Sequence, residues 1–228
     1  MAALAIGVTP DTALAKDAGL QLGLKGSIVV NDRMETSVPD IYAVGDAVQV
    51  KNFVTGEDDL IALAGPANKQ GRIAADNICG IDSRYGGSQG SSVLKIFDLT
   101  AATTGISEKK ARSLGYETDS VVLSPMSHAS YYPGGMVMTM KVVFEKNTYK
   151  LLGAQIIGYD GVDKRIDVLA TAIRAGMKAT ELGELDLAYA PPYSSAKDPV
   201  NMAGFVAENI KNGIVKQFYY EDIPSLRE

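Results

Sequence analysis

Cysteine is almost missing from this chain: Cys79 is the single thiol among 228 residues. One thiol cannot build an internal disulfide framework, which suits a reducing, cytoplasmic setting. Histidine is equally scarce, with His128 alone. A lone imidazole without His, Cys or Asp partners at ligand spacing predicts no metal site. Basic runs are lacking and the formal net charge is −5, so nucleic acid is not expected as a partner. Apolar runs are too short to span a bilayer, and the first residues lack a cleavable signal's basic start, so no membrane partner is expected. The dinucleotide fingerprint Gly-x-Gly-x-x-Gly occurs nowhere. The glycine and serine cluster at residues 84–92 is not followed by the Lys-Ser/Thr that a phosphate-cradling P-loop requires, and it predicts a linker.

What is present is an ordinary core-forming composition, 46% hydrophobic and 21% charged, enough for one or two domains. Residues 1–85 alternate strand-like and helical stretches, as part of a doubly wound α/β domain does. A short helix is expected over residues 10–19, with Asp11 or Thr12 near its start and Gly19 stopping it. Residues 41–44, Ile-Tyr-Ala-Val, predict a fully buried strand. Gly45 then lets the backbone approach a ligand, and Asp46 is expected at the carboxyl edge of the sheet, where open α/β folds bind ligands. A carboxylate accepts from hydroxyl groups and repels phosphate, so a ribose or ribityl chain is the expected partner. Residues 65–78 predict a helix with Pro66 in its first turn and Ile73, Ala74 and Ile78 inward. Cys79, late in that helix, is expected to be a small buried hydrophobe.

After the linker the pattern changes. Strands are expected over residues 93–99, 121–123, 136–144 and 151–157, the last two joined by a hairpin connection. Helices are expected over residues 107–114, capped by Ser107, and over 161–177, with Ile166, Leu169, Ala170 and Ile173 on one stripe. A third covers residues 198–211, with Asp198 capping and Pro199 at the first helical position. Hairpins with helices on one face indicate an α+β domain. His128 is expected in a loop, as an ordinary surface or loop histidine, and Arg72 as solvated helix-face charge.

The string Thr36-Ser-Val-Pro-Asp-Ile-Tyr-Ala-Val-Gly-Asp46 resembles the second FAD-binding motif of the pyridine nucleotide–disulfide oxidoreductases. Ala5-Ile-Gly-Val-Thr-Pro10 is similar to the segment that leads that family's chain from its NADH domain back to its FAD domain. Residues 63–77 resemble the helix approaching the flavin ring, and residues 189–204, Tyr-Ala-Pro-Pro-Tyr-Ser-Ser-Ala-Lys-Asp-Pro-Val-Asn-Met-Ala-Gly, resemble coenzyme A–disulfide reductases most. The resemblance implies a partial FAD-binding, Rossmann-like α/β segment followed by an α+β dimerisation domain with an antiparallel sheet. Its expected boundaries are residues 1–85, a linker at 86–92, the dimerisation domain at 93–214, and a tail or start of a further linker at 215–228. Residues 218–224 also weakly resemble the entry to a rhodanese domain.

By the same resemblance, FAD contacts fall on Gly45, Asp46 and Ala47 and on the helix start Gly65, Pro66, Ala67 and Asn68. NAD(P)H is the implied electron donor of the complete enzyme. The tyrosines that such reductases place near the substrate map to Tyr193 and to Tyr132, with Tyr131 in reserve. A homodimer through the carboxyl-terminal domain and a small-molecule thiol or disulfide substrate are implied. The family's redox cysteine and first FAD fingerprint have no counterpart, so the chain reads as a carboxyl-terminal half, inactive alone. Water-forming NADH oxidase, polysulfide reductase and a non-enzymatic dimerisation module are the alternative readings.

Overall fold

The computed structural model describes residues 7–225, so Ala5 and Ile6 of the family-like first segment, and residues 226–228 of the tail, lie outside the described residues. The chain divides into two compact units, Met1–Gly90 and Ser91–Glu228.

In the first unit, helix α1 (Ala13–Asp17) follows Thr12, whose hydroxyl donates to Gly26 O at 2.6 Å instead of capping the helix. Gly19, at φ +76°, takes the chain out of it. Strands β1 (Ile28–Val29), β2 (Val48–Lys51) and β3 (Asp58–Asp59) form one small sheet, β1 parallel and β3 antiparallel to β2. The expected buried strand at residues 41–44 is not there. That stretch makes one isolated bridge, Glu35 to Tyr42, and leaves Ile41 and Val44 37% and 39% exposed. A strand is buried only when neighbours cover it, and among the described residues one bridge is all this run obtains. Asp46 accordingly lies in a 3-10 turn, Gly45–Ala47, on the amino side of β2 and not at the sheet's carboxyl edge.

Helix α2 (Ala64–Ile78) turns a polar face inward: Gln70, Ala74 and Asn77 are buried, while Ile78 is 65% exposed. The expected Ile73–Ala74–Ile78 stripe therefore holds at Ala74 and fails at Ile78. The reason is that α2 organises loops. Asn77 Nδ2 donates to Arg33 O at 3.2 Å and Ser83 O at 2.8 Å. With the inward face rotated this way, Cys79 at the helix end is exposed rather than buried. In the glycine and serine stretch, Ser88 bridges Asn52 in parallel, its N–H donating to Lys51 O at 3.0 Å. Gly87 is required there: at φ +77° a Cβ would stand 2.6 Å from Lys51 O.

The second unit is an antiparallel five-stranded sheet in the order β4-β5-β8-β7-β6. The strands are β4 (Ser92–Ile96), β5 (Leu99–Gly105), β6 (Thr118–Leu123), β7 (Met138–Glu145) and β8 (Leu151–Gly158). Strand β5, rich in Ala and Thr, is an element that the apolar-run reading passes over; it pairs β4 and β8. Helix α3 (Glu108–Ser113) starts at Ser107, whose Oγ accepts from Lys110 N at 3.2 Å. Helix α4 (Val162–Arg174) packs on β5 and β8, and its Ile166, Leu169 and Ile173 are buried. Helix α5 (Pro199–Lys211) begins at Asp198, whose Oδ1 accepts from Val200 N at 3.0 Å. It packs on the 3-10 stretch Ala179–Glu184 so closely that a Cβ on Gly204 would lie 2.1 Å from Gly183 N.

The segment after α5 is anchored to the edge strand β6. The Tyr219 hydroxyl donates to the Asp119 carboxylate and to Ser120 O (2.9 Å). Burial, then the Asp119 contact, pushes its pKa up to about 12. The folded value is raised above that of the unfolded chain, so this anchor is fully present below pH about 10 and lost as pH rises through about 12. A tyrosinate absorbance titration should show a late-ionising phenol that is missing in Tyr219→Phe. An unchanged alkaline limb in that variant would contradict the anchor.

Candidate functional site

Two groups of residues are arranged for chemistry, one in each unit. In the first unit the Gly45–Ala47 turn rests on α2. Gly45 adopts φ +87° and its N–H donates to the buried Gln70 Oε1 at 2.7 Å, so the turn is held from below. Asp46 is exposed and makes no hydrogen bond or ion pair to any described residue, leaving both carboxylate oxygens able to accept. The start of α2 has no side-chain cap. Pro66 has no N–H to offer, Ala67 N bonds Leu63 O at 3.1 Å, and Asn68 Nδ2 turns back to Ala64 O at 2.9 Å. The amides of Ala64 and Gly65 are thus left open at the positive end of a fifteen-residue helix. A carboxylate free to accept could take a hydroxyl, and open amides at a helix start could take an electron-rich edge.

In the second unit the decisive group is Arg165. It lies on the inward stripe of α4 and is 1% exposed. Its Nη2, with two hydrogens to share, lies within hydrogen-bond distance of Asp198 Oδ2 (3.0 Å), Ser194 Oγ (3.1 Å), Ser127 O (2.9 Å) and Tyr193 O (3.3 Å). Ser194 Oγ also donates to Asp198 Oδ2 at 2.6 Å. One guanidinium therefore gathers three loops: the Ser127 turn, the segment ending at Tyr193-Ser194, and the start of α5. A buried charge costs heavily unless paired and hydrogen-bonded; here the two charges pair, Nη1 adds a bond to Gly161 O at 3.2 Å, and only Nε of the guanidinium is left buried without a partner. Beside it opens a cavity of about 420 Å³ lined by Asp160, Lys164, Arg165, Tyr189, Pro192 and Tyr193.

The tyrosines sort into three situations. Tyr193 is 71% exposed at the cavity wall. Tyr132 stands edge-on to His128, ring centroids 5.8 Å apart. Tyr131 and Tyr189 bring their hydroxyls to 2.8 Å of each other. That hydrogen bond, followed by burial, raises the Tyr189 phenol above the usual tyrosine value. Tyr189 and Arg165 escaped the sequence reading. An arginine four residues before Leu169, at the spacing of the apolar stripe, was the available sign of the second; nothing in sequence pairs residues 131 and 189. His128 is in a loop as expected, but it is buried at 5% exposure, because both ring nitrogens find partners. Arg72 is solvent-facing, with a long i,i+4 contact to Asp76 at 4.0 Å. Among the described residues no group of three His, Cys, Asp or Glu could hold a metal, and no helix is long and apolar enough to cross a membrane.

Known families match the two units in turn. The pyridine nucleotide-disulphide oxidoreductase profile matches residues 1–71, and the profile of that family's dimerisation domain matches residues 91–199. The chain belongs to the pyridine nucleotide–disulphide oxidoreductases. The structure of reduced Bacillus anthracis CoADR-RHD superposes with a TM-score of 0.94 at 52% identity, covering 97% of this chain and 40% of that one. The NADH oxidase of Methanocaldococcus jannaschii is 38% identical over 89% of this chain and 45% of its own length. Coenzyme A disulfide reductase of Staphylococcus aureus is 35% identical over 89% of this chain and 46% of its own length. The chain thus spans less than half of the relatives it matches. The family uses FAD and NAD(P)H, and its second part here carries a dimerisation domain.

Replacing Arg165 by Met should leave the buried Asp198 with only the longer ionic contact to Lys164 Nζ, 3.8 Å away, and cost about 3–5 kcal/mol in a urea or guanidinium melt. A loss under about 1 kcal/mol would mean that the ion pair does not organise these loops.

Proposed function

We propose that this chain is the flavin-contacting and dimer-forming portion of a cytoplasmic, homodimeric NAD(P)H:disulfide oxidoreductase whose substrate is a small disulfide, coenzyme A disulfide in the first place. The observation that carries the reading is the Tyr131–Tyr189 hydroxyl pair next to the Arg165-ordered cavity. Reduction of a disulfide by NAD(P)H and a proton yields two thiols and the oxidised nucleotide. A thiolate leaves as the S–S bond breaks, and it needs a proton from a group that is neutral at physiological pH. Two hydrogen-bonded phenols meet that need: one donates to the other, and the second O–H remains free to donate outward. Tyr193 and Tyr132, the positions that the family resemblance brings forward, would stand at the rim and behind the pair.

Asp46 would accept from a ribityl hydroxyl of FAD, with Gly45 and Ala47 giving close access. The helix start at Gly65, Pro66, Ala67 and Asn68 would face the pyrimidine edge, where open amides favour negative charge. When bound, FAD supplies the two-electron relay between the nicotinamide and the disulfide. Alone, this chain would make only part of the cofactor's contacts and would hold it weakly.

Water-forming NADH oxidase is the second reading, favoured by the name of the Methanocaldococcus relative. A colourless dimer with no flavin band in the longer protein would instead leave a dimerisation module.

In that longer protein, Tyr189→Phe should lower kcat with NADH and coenzyme A disulfide roughly a hundredfold while the flavin absorbance stays. Tyr193→Phe should cost less. Undiminished disulfide turnover in Tyr189→Phe, or NADH consumption that proceeds on oxygen alone, would overturn the assignment.

A further inference from the structure

We propose that His128 is the positioning residue of the tyrosine-bearing loop: its imidazole ties the two limbs of residues 127–136 together and so sets where the Tyr131 hydroxyl meets Tyr189. The geometry gives each ring nitrogen a partner. His128 Nε2 lies 3.2 Å from Pro133 O, which can only accept, so Nε2 carries the proton. On the other side Nδ1 lies 3.1 Å from Ser127 Oγ. That oxygen also accepts the Met136 N–H at 3.2 Å. The ring thereby joins the far limb of the loop twice, directly at Pro133 and through Ser127 at Met136.

The surroundings leave no slack. Gly135 passes so close that a Cβ there would come within 3.0 Å of Met126 Cε and 3.5 Å of His128 Nε2. Tyr132 packs edge-on against the imidazole. Ala129 N donates to Ser194 O at 3.0 Å, which fastens the near limb to the segment that carries Tyr189 and Tyr193. Tyr131 lies within the span so closed, two residues before Pro133. The charged groups on this side are Asp160, whose Oδ2 is 3.7 Å from Nδ1, and Arg165, whose Nη2 holds the Ser127 carbonyl. A side chain buried on both nitrogens, one carbonyl away from an exposed tyrosine, has no apolar core role that a leucine would not fill better. Any effect of His128 on turnover rests on the reading proposed above; the positioning itself does not.

The test uses two variants of similar size and a readout on this chain without cofactor. A glutamine amide nitrogen reaches the place of Nε2 and can still donate to Pro133 O, whereas an asparagine amide stops at the place of Nδ1. Ring-carbon NMR of labelled tyrosines follows each phenol through alkaline pH, with a thermal melt confirming that each variant is folded. Tyr189 should keep its raised ionisation in His128→Gln and fall back toward the ordinary value near 10 in His128→Asn. In the longer protein His128→Asn should lower kcat about tenfold with KM unchanged, and His128→Gln should restore it. Tyr189 titrating alike in the parent and in His128→Asn would overturn the proposal, as would a glutamine variant displaced as far as the asparagine one. A phenol shift without any change in turnover would uphold the positioning and count against the enzymatic reading instead.

Discussion

The buried pair of Arg165 and Asp198 is the interaction on which the second unit's site depends. Each element here is locally ordinary: a helix with an inward stripe, a loop between strands, an N-cap aspartate followed by proline. What brings them to one place is a single guanidinium that is 1% exposed and bonded to three separate segments. Asp198 serves twice, one oxygen capping α5 and the other neutralising Arg165. Desolvating such a pair is expensive, and apolar side chains would fill the volume more cheaply. What the charge provides is direction: planar donors that seat the Ser127 turn and the Tyr193-Ser194 segment in one register.

The first unit follows the same principle with neutral groups. Gln70 and Asn77 sit on the inward face of α2 and use their amides to hold loop backbone, Gly45 in one case and Arg33 and Ser83 in the other. A helix so used is a loop-holding beam, and its stripe carries little hydrophobic weight. The Gly45–Asp46 turn is therefore rigid from below while Asp46 itself is open above. In both units buried polar side chains set the backbone of the loops around them.

This is also what decided how far the sequence could be read. The antiparallel sheet, helices α3, α4 and α5 and the caps at Ser107 and Asp198 follow from periodicity and capping chemistry, which are local. Reading inward faces by hydrophobicity alone failed where the inward residue is polar: it placed Ile78 and Cys79 inside, took His128 for a surface or loop residue, and passed over Gln70 and Arg165. Strand β5 was passed over because Ala and Thr carry no apolar run, although its place between β4 and β8 is set by pairing that sequence spacing does not encode. Ile41 to Val44 reads as a buried strand because its composition asks for neighbours, and the described chain supplies one bridge. The Tyr131–Tyr189 contact joins residues separated by 58 positions and left no mark on either local stretch.

The direct test of this account is native-state amide exchange across the second unit in Arg165→Met. The Tyr193 and Ser194 amides both donate to Ala190 O. If the guanidinium is what seats that segment, their protection should fall by at least tenfold more than that of β7 and β8 amides. Equal loss throughout, or unaltered protection at Tyr193 and Ser194, would mean that the loops hold their place without it.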